Sequence, residues 1–164
     1  KPAIRRNVML FFEEDSAHSA MLKGDVDVAY TTPSLALNQV EGYRLLDCKT
    51  TDTHGMSMVI PPAGSVDANG NAVGNAVTSD IAIRQALAYG LNREKIVEDV
   101  FLGFGEPAYG LAEGMAWYND EITRQLSQRT PEDAIRVLEE AGWVDTDGEG
   151  IRGKGGGKAG VRLA

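Results

Sequence analysis

Apolar residues cluster along this chain in two distinct rhythms. Near the start, Val8-Met9-Leu10-Phe11-Phe12 is a continuous apolar run, short and rich in aromatic and branched side chains, which predicts a buried strand. A helix should follow, opened by Asp15 or Ser16 and running to Lys23, with Gly24 where a left-handed closing residue is wanted. From Asp25 to Tyr30 the chain alternates: Val26, Val28 and Tyr30 share one face, and Asp25, Asp27 and Ala29 the other. That period predicts a strand with one wet face. Thr31-Thr32-Pro33-Ser34 ends it and opens a helix, with Ser34 or Thr32 as cap. A strand pair is expected around residues 44–46 and 56–60, and Pro61-Pro62 stops the second. Residues 63–78, mostly Gly, Asn, Ala and Asp, read as an exposed loop.

The helical period dominates the second half. Ser79 is the expected cap of a helix whose Ile83, Ala86, Leu87 and Gly90 lie together while Arg84 and Gln85 face away. Asn92 should cap a second helix, with Ile96, Val97, Val100 and Phe101 as its stripe and Gly103 at its end. Residues 103–120 carry no period but hold Phe104, Pro107, Tyr109, Trp117 and Tyr118, a long loop packed by its own aromatics. Thr130-Pro131-Glu132-Asp133 combines cap, first-turn proline and third-position acid, and predicts a helix burying Ala134, Ile135, Leu138 and Ala141 before Gly142. Gly160-Val161-Arg162-Leu163-Ala164 reads as a strand beginning. Helices interleaved with strands make the class α/β or α+β.

Composition narrows the function. The net charge of −8 disfavours nucleic acid and anionic membranes as partners. The single cysteine, Cys48, excludes an internal disulfide and a cysteine-built zinc site within this chain. His18 and His54 stand far apart with no helical-spacing partner, so no protein-built metal site is expected. Asp145-x-Asp147-x-Glu149 resembles half a calcium loop, but Gly156 occupies the place of the required glutamate, leaving a solvated turn. Glu13-Glu14-Asp15 reads as a helix start rather than an acid–base pair. With no nucleophile motif, phosphate loop or dinucleotide fingerprint, neither an enzyme nor a cofactor is expected.

Four blocks in order resemble one family. Ile83-Arg84-Gln85-Ala86-Leu87 through Asn92-Arg93-Glu94-Lys95-Ile96, the loop Gly103-Phe104-Gly105-Glu106-Pro107-Ala108, the run from Ala134 to Ala141-Gly142-Trp143, and the upstream Leu22-Lys23-Gly24-Asp25-Val26-Asp27 are similar to segments of the peptide/nickel solute-binding proteins, family 5, of ABC importers. Asp145-Thr146-Asp147-Gly148 and Gly150-Ile151-Arg152 resemble the usual tail of the third block. Residues 58–62, Met-Val-Ile-Pro-Pro, depart from the family's usual strand ending. The resemblance implies a two-lobed, periplasmic-binding-protein type II-like fold of which this chain is an internal piece. Residues 1–57 would be the end of the first lobe with a crossover strand, and residues 58–164 the beginning of the C-terminal lobe. It implies an extracytoplasmic protein, periplasmic or a cell-surface lipoprotein, whose targeting segment lies outside this sequence. The partners implied are a small peptide or metal-chelate ligand and the permease subunits, with the protein a monomer. A ligand-sensing domain of a transcriptional regulator is the alternative from another class. Tyr30, Thr31 and Thr32, at a strand end, are the expected ligand-binding residues, joined by His54 and Met56 near the crossover.

Overall fold

The structure, a computed structural model, describes residues 3–160. Among the described residues six helices form: α1 (Glu14–Lys23), α2 (Pro33–Ala36), α3 (Ile81–Gly90), α4 (Arg93–Asp99), α5 (Asp120–Leu126) and α6 (Pro131–Glu140). A two-residue antiparallel hairpin, β1 (Gly153–Lys154) and β2 (Gly157–Lys158), pairs Gly153 with Lys158 and Lys154 with Gly157. Contacts divide the chain into two compact units. One comprises the described residues through Thr50 with Glu94–Glu106, and the other Thr51–Arg93 with the described residues from Pro107 onward.

Local signals set the helix ends. α1 closes on Gly24, left-handed at φ 73°, whose N–H returns to Ala20 and Met21. α6 opens with a full capping box: Thr130 Oγ1 accepts from the Asp133 N–H at 3.3 Å, and the Asp133 carboxylate accepts from the Thr130 N–H at 3.1 Å. For α3 the cap is Asp80 rather than Ser79, its carboxylate accepting the Ala82 N–H at 3.0 Å. Asn119 caps α5, a helix not among those expected from the sequence.

α3 and α6 pack against each other and enclose the core of their unit: Ala82, Ile83 and Trp143, flanked by Val77, Leu87, Val137, Leu138, Ala141 and Ala159. A Cβ at Gly90 would meet the Ala134 Cβ at 3.6 Å, an ordinary contact, so the packing of α3 on α6 does not depend on glycine there. The buried face of α6 runs through Ala134, Val137, Leu138 and Ala141, spaced 3, 4 and 7 residues from the first. Ile135 falls off that face and is exposed, against expectation. Arg84 folds back toward the start of α3, so that Nη1 donates to the Thr78 and Ser79 carbonyls at 2.6 and 2.9 Å. α4 stops at Asp99, and the chain reverses through Leu102 (φ 53°) and Gly103 (φ 84°), which leaves Val100 exposed.

The strands expected at residues 8–12, 25–30, 44–46 and 56–60 do not form among the described residues. A strand is held by its neighbours, and no described segment lies alongside these runs as a ladder partner. Most of their apolar side chains therefore face water, Phe11 at 93% exposure. The strand expected at 160–164 lies outside the described residues beyond Gly160.

The 63–78 loop is mostly exposed through Val73, as expected, but it is built, and at its end Val77 packs on the core and Thr78 is buried. Val66 bridges Ala72, and the Asn75 carboxamide oxygen accepts the Val77 and Thr78 N–H groups at 2.8 and 2.9 Å. At Gly74 any Cβ would sit 1.7 Å from the Pro62 carbonyl oxygen, a backbone atom that cannot step aside. Gly74→Ala should destabilise this unit by roughly 2–4 kcal/mol, whereas Gly55→Ala, facing open space, should stay within about 0.5 kcal/mol. Paired denaturant titrations of the two variants check this difference.

Candidate functional site

Tyr30, Thr31 and Thr32 lead into α2. Tyr43 fastens the segment before them, its hydroxyl donating to the Val26 carbonyl. Thr32 is the α2 cap: Oγ1 accepts the Leu35 N–H at 3.4 Å and lies 3.2 Å from the Ser34 hydroxyl, while Pro33 takes the first helical position. Tyr30 is 83% exposed rather than part of a core. Thr31 differs from both neighbours, because its Oγ1 is buried and has no hydrogen-bond partner. An unpaired buried hydroxyl costs stability unless something else supplies a partner.

His54 and Met56 lie in the other compact unit. The His54 ring is largely exposed, with Nε2 at 4.0 Å from the Asp52 carboxylate, and Met56 is also exposed. The adjoining Thr53 Oγ1 donates to the Leu111 carbonyl at 3.4 Å. Thus Tyr30–Thr32 form one group by adjacency and His54 with Met56 another.

A second constellation was not legible as a unit in the sequence. Around Trp143, 4% exposed, a cavity of about 640 Å³ is lined by Ile60, Pro62, Val77, Asp80 and Lys154 among others. Asp80 Oδ2 accepts from Trp143 Nε1 at 2.9 Å and from Lys154 Nζ at 2.8 Å, while Oδ1 caps α3. The Lys154 ammonium also stands 5.8 Å from the centroid of the Trp143 ring. The Lys154 ammonium, helped by the indole and the Ala82 amide, holds the Asp80 carboxyl down at about 2. Every polar atom of Asp80 is committed, so this arrangement fastens rather than reacts.

The remaining acidic candidates are likewise occupied. Asp145 accepts the Gly148 and Gly150 N–H groups, each at 2.8 Å, and these amides lower its pKa. Lys158 Nζ pairs with Asp147 at 3.1 Å and with Glu149. Among the described residues no group of three or more His, Cys, Asp or Glu side chains could hold a metal ion. Glu13, Glu14 and Asp15 sit at the α1 N-terminus, as their spacing suggested. In the 103–120 loop the expected aromatic packing is met in part. Tyr118 lies against Gly110 and reaches the Thr123 hydroxyl at 3.0 Å, and Tyr109 lies under Arg93 at 4.6 Å, yet Trp117 is 75% exposed. Arg93 also donates to the Ala108 carbonyl at 2.9 Å and the Ala88 carbonyl at 3.0 Å, pinning that loop to the end of α3.

This fold matches a solved structure, the oligopeptide-binding protein AppA from Bacillus subtilis in complex with a nonapeptide. The TM-score is 0.54 at 23% identity, over 89% of this chain and 27% of that one. The architecture is therefore that of the two-lobed, type II binding-protein class, of which this chain supplies a portion. The sequence narrows the class to a family: the pattern described as bacterial extracellular solute-binding proteins, family 5 Middle, matches residues 1–163, and the chain belongs to that family. Protein XP55 of Streptomyces lividans is 33% identical over 99% of this chain and 28% of its own length. AppA of Bacillus subtilis is 40% identical over 51% of this chain and 16% of its own, and the nickel-binding periplasmic protein of Escherichia coli 32% over 49% and 15%. The chain thus spans under a third of the length of these relatives. The family is one of solute-binding proteins, not of enzymes.

Because Asp80 is held low in the folded state, its contribution to stability is complete above the ordinary carboxylate value near 4. It is lost as pH falls from there through about 2. With its side chain 20% exposed, that contribution should be roughly 1–2 kcal/mol. Asp80→Asn should lower the melting temperature at pH 7 and flatten the decline between pH 4 and 2, as read from thermal melts across that range.

Proposed function

We propose that the intact protein is the substrate-binding component of an ABC importer, capturing oligopeptides or dipeptides in a cleft between two lobes and delivering them to membrane permease subunits. The observation that carries this reading is the continuous family match over residues 1–163, joined to a fold shared with a protein solved around a nonapeptide. Relatives named for oligopeptide, dipeptide and nickel binding all align with this chain. Peptide is put ahead of a nickel chelate because the solved match holds a nonapeptide and two of these three relatives are named for peptide binding. In this reading the protein is a monomer outside the cytoplasm, periplasmic or lipid-anchored at the cell surface. The change of lobe falls near residues 57–58.

Tyr30, Thr31 and Thr32 are the proposed ligand contacts in the first part, with His54 and Met56 near the lobe change. No helix among the described residues is long and apolar enough to cross a membrane.

Mass spectrometry of small molecules released from the intact, natively purified protein tests the reading. Peptides are expected; a nickel chelate would transfer the protein to the alternative, and turnover of a bound peptide would overturn binding without chemistry. Thr31→Val distinguishes contact from scaffold. It should leave stability unchanged or slightly raised, and should weaken peptide binding about five-fold in calorimetry, equivalent to roughly 1 kcal/mol. A loss of stability without loss of affinity would remove Thr31 from the site.

A further inference from the structure

We propose that Asn69 is a site of spontaneous covalent modification, its side-chain amide giving way to the following backbone nitrogen so that the residue becomes aspartate and isoaspartate. Asn69-Gly70 sits at the tip of the turn Asp67–Asn71, where the Asp67 N–H donates to the Asn71 carbonyl at 2.9 Å and the Gly70 N–H to the Asp67 carbonyl at 3.0 Å. The Asp67 carboxylate accepts the Asn69 and Asn71 N–H groups at 2.8 and 2.9 Å and the Asn71 side-chain amide at 3.0 Å. The Asn69 carboxamide enters none of these bonds, and both Asn69 and Gly70 are exposed. Gly70 has φ 82°, and nothing lies within 4 Å of the place where a Cβ would stand.

The chemistry balances without any redox partner. The Gly70 nitrogen attacks Asn69 Cγ, forming a five-membered imide; the Cγ–Nδ2 bond breaks, and ammonia leaves with the proton from the Gly70 nitrogen. Water then opens either carbonyl of the ring. One opening restores the backbone with an aspartate side chain, and the other routes the backbone through Cγ as isoaspartate. Attack requires the Gly70 N–H to release the Asp67 carbonyl. At an exposed turn tip that opening is local, and glycine alone brings no side chain to shield its nitrogen.

Every other asparagine lacks one of these conditions. Asn75 and Asn119 use their side-chain oxygens to accept backbone N–H groups, and the Asn71 amide is held by Asp67. Asn7, Asn38 and Asn92 precede Val8, Gln39 and Arg93, whose side chains crowd the attacking nitrogen. Conversion at position 69 would set a new carboxylate beside Asp67. In the isoaspartate form it would also carry the Gly70 nitrogen away from its acceptor and loosen the Val66–Ala72 bridge.

The intact protein, held at neutral and mildly alkaline pH and sampled over time, should show by peptide-level mass spectrometry an amide-to-acid conversion at Asn69 ahead of every other asparagine. Both products should appear, and the rate should rise with pH. In parallel the native protein should shift toward the acidic side by one charge on ion exchange, and Asn69→Gln should abolish that shift, because the longer side chain must close a larger and slower ring. An unchanged Asn69, or conversion led by any other asparagine, overturns the proposal.

Discussion

The Asp80 carboxylate is the constraint on which the better packed part of this molecule depends. It caps α3 through the Ala82 N–H, receives the Trp143 indole from beyond the end of α6, and receives Lys154 from the hairpin. Three chain segments are thereby held to one side chain, two of them more than sixty residues away in sequence. The apolar packing of α3 on α6 supplies the larger energy, but it is non-directional. The indole–carboxylate bond adds the direction that sets Trp143 between the two helices. It also explains how a tryptophan can be 4% exposed without an unpaired N–H.

The segment that carries the proposed ligand contacts has the opposite character. Among the described residues, Ala20 is the only buried apolar residue in its compact unit. Tyr30 stands in water, and the neighbouring strand-like runs have no ladder partner among the described residues. Its order comes from caps and single hydrogen bonds: Gly24 closing α1, Thr32 opening α2, Tyr43 holding Val26. A side chain presented from such a segment, as Tyr30 is, stays accessible, which a solute-binding surface requires and a packed core removes. The motifs that identify the family and the proposed binding residues thus rest on different parts of the chain. The motifs that place it among the family 5 proteins fall mostly on α3, α4, α6 and the loop pinned by Arg93, all of them scaffold.

The sequence by itself determined what is local. Thr130-Pro131-Glu132-Asp133 specified the start of α6, Gly24 the end of α1, and Pro33 the start of α2, because each rests on partners within four residues. The family was legible for a related reason: caps, glycine turns and apolar stripes recur in order along the chain. The tertiary structure decided what depends on distant partners. Ser79 and Asp80 are both plausible caps, and Asp80 takes the role because the indole and ammonium that fix its carboxylate arrive from residues 143 and 154. Ile135 and Trp117 are apolar enough to bury, yet the one falls off the α6 face that meets α3 and the other has no surface to cover it. An alternating pattern proposes a strand, but only a neighbouring backbone at hydrogen-bonding distance makes one, and for residues 25–30 the described chain provides none.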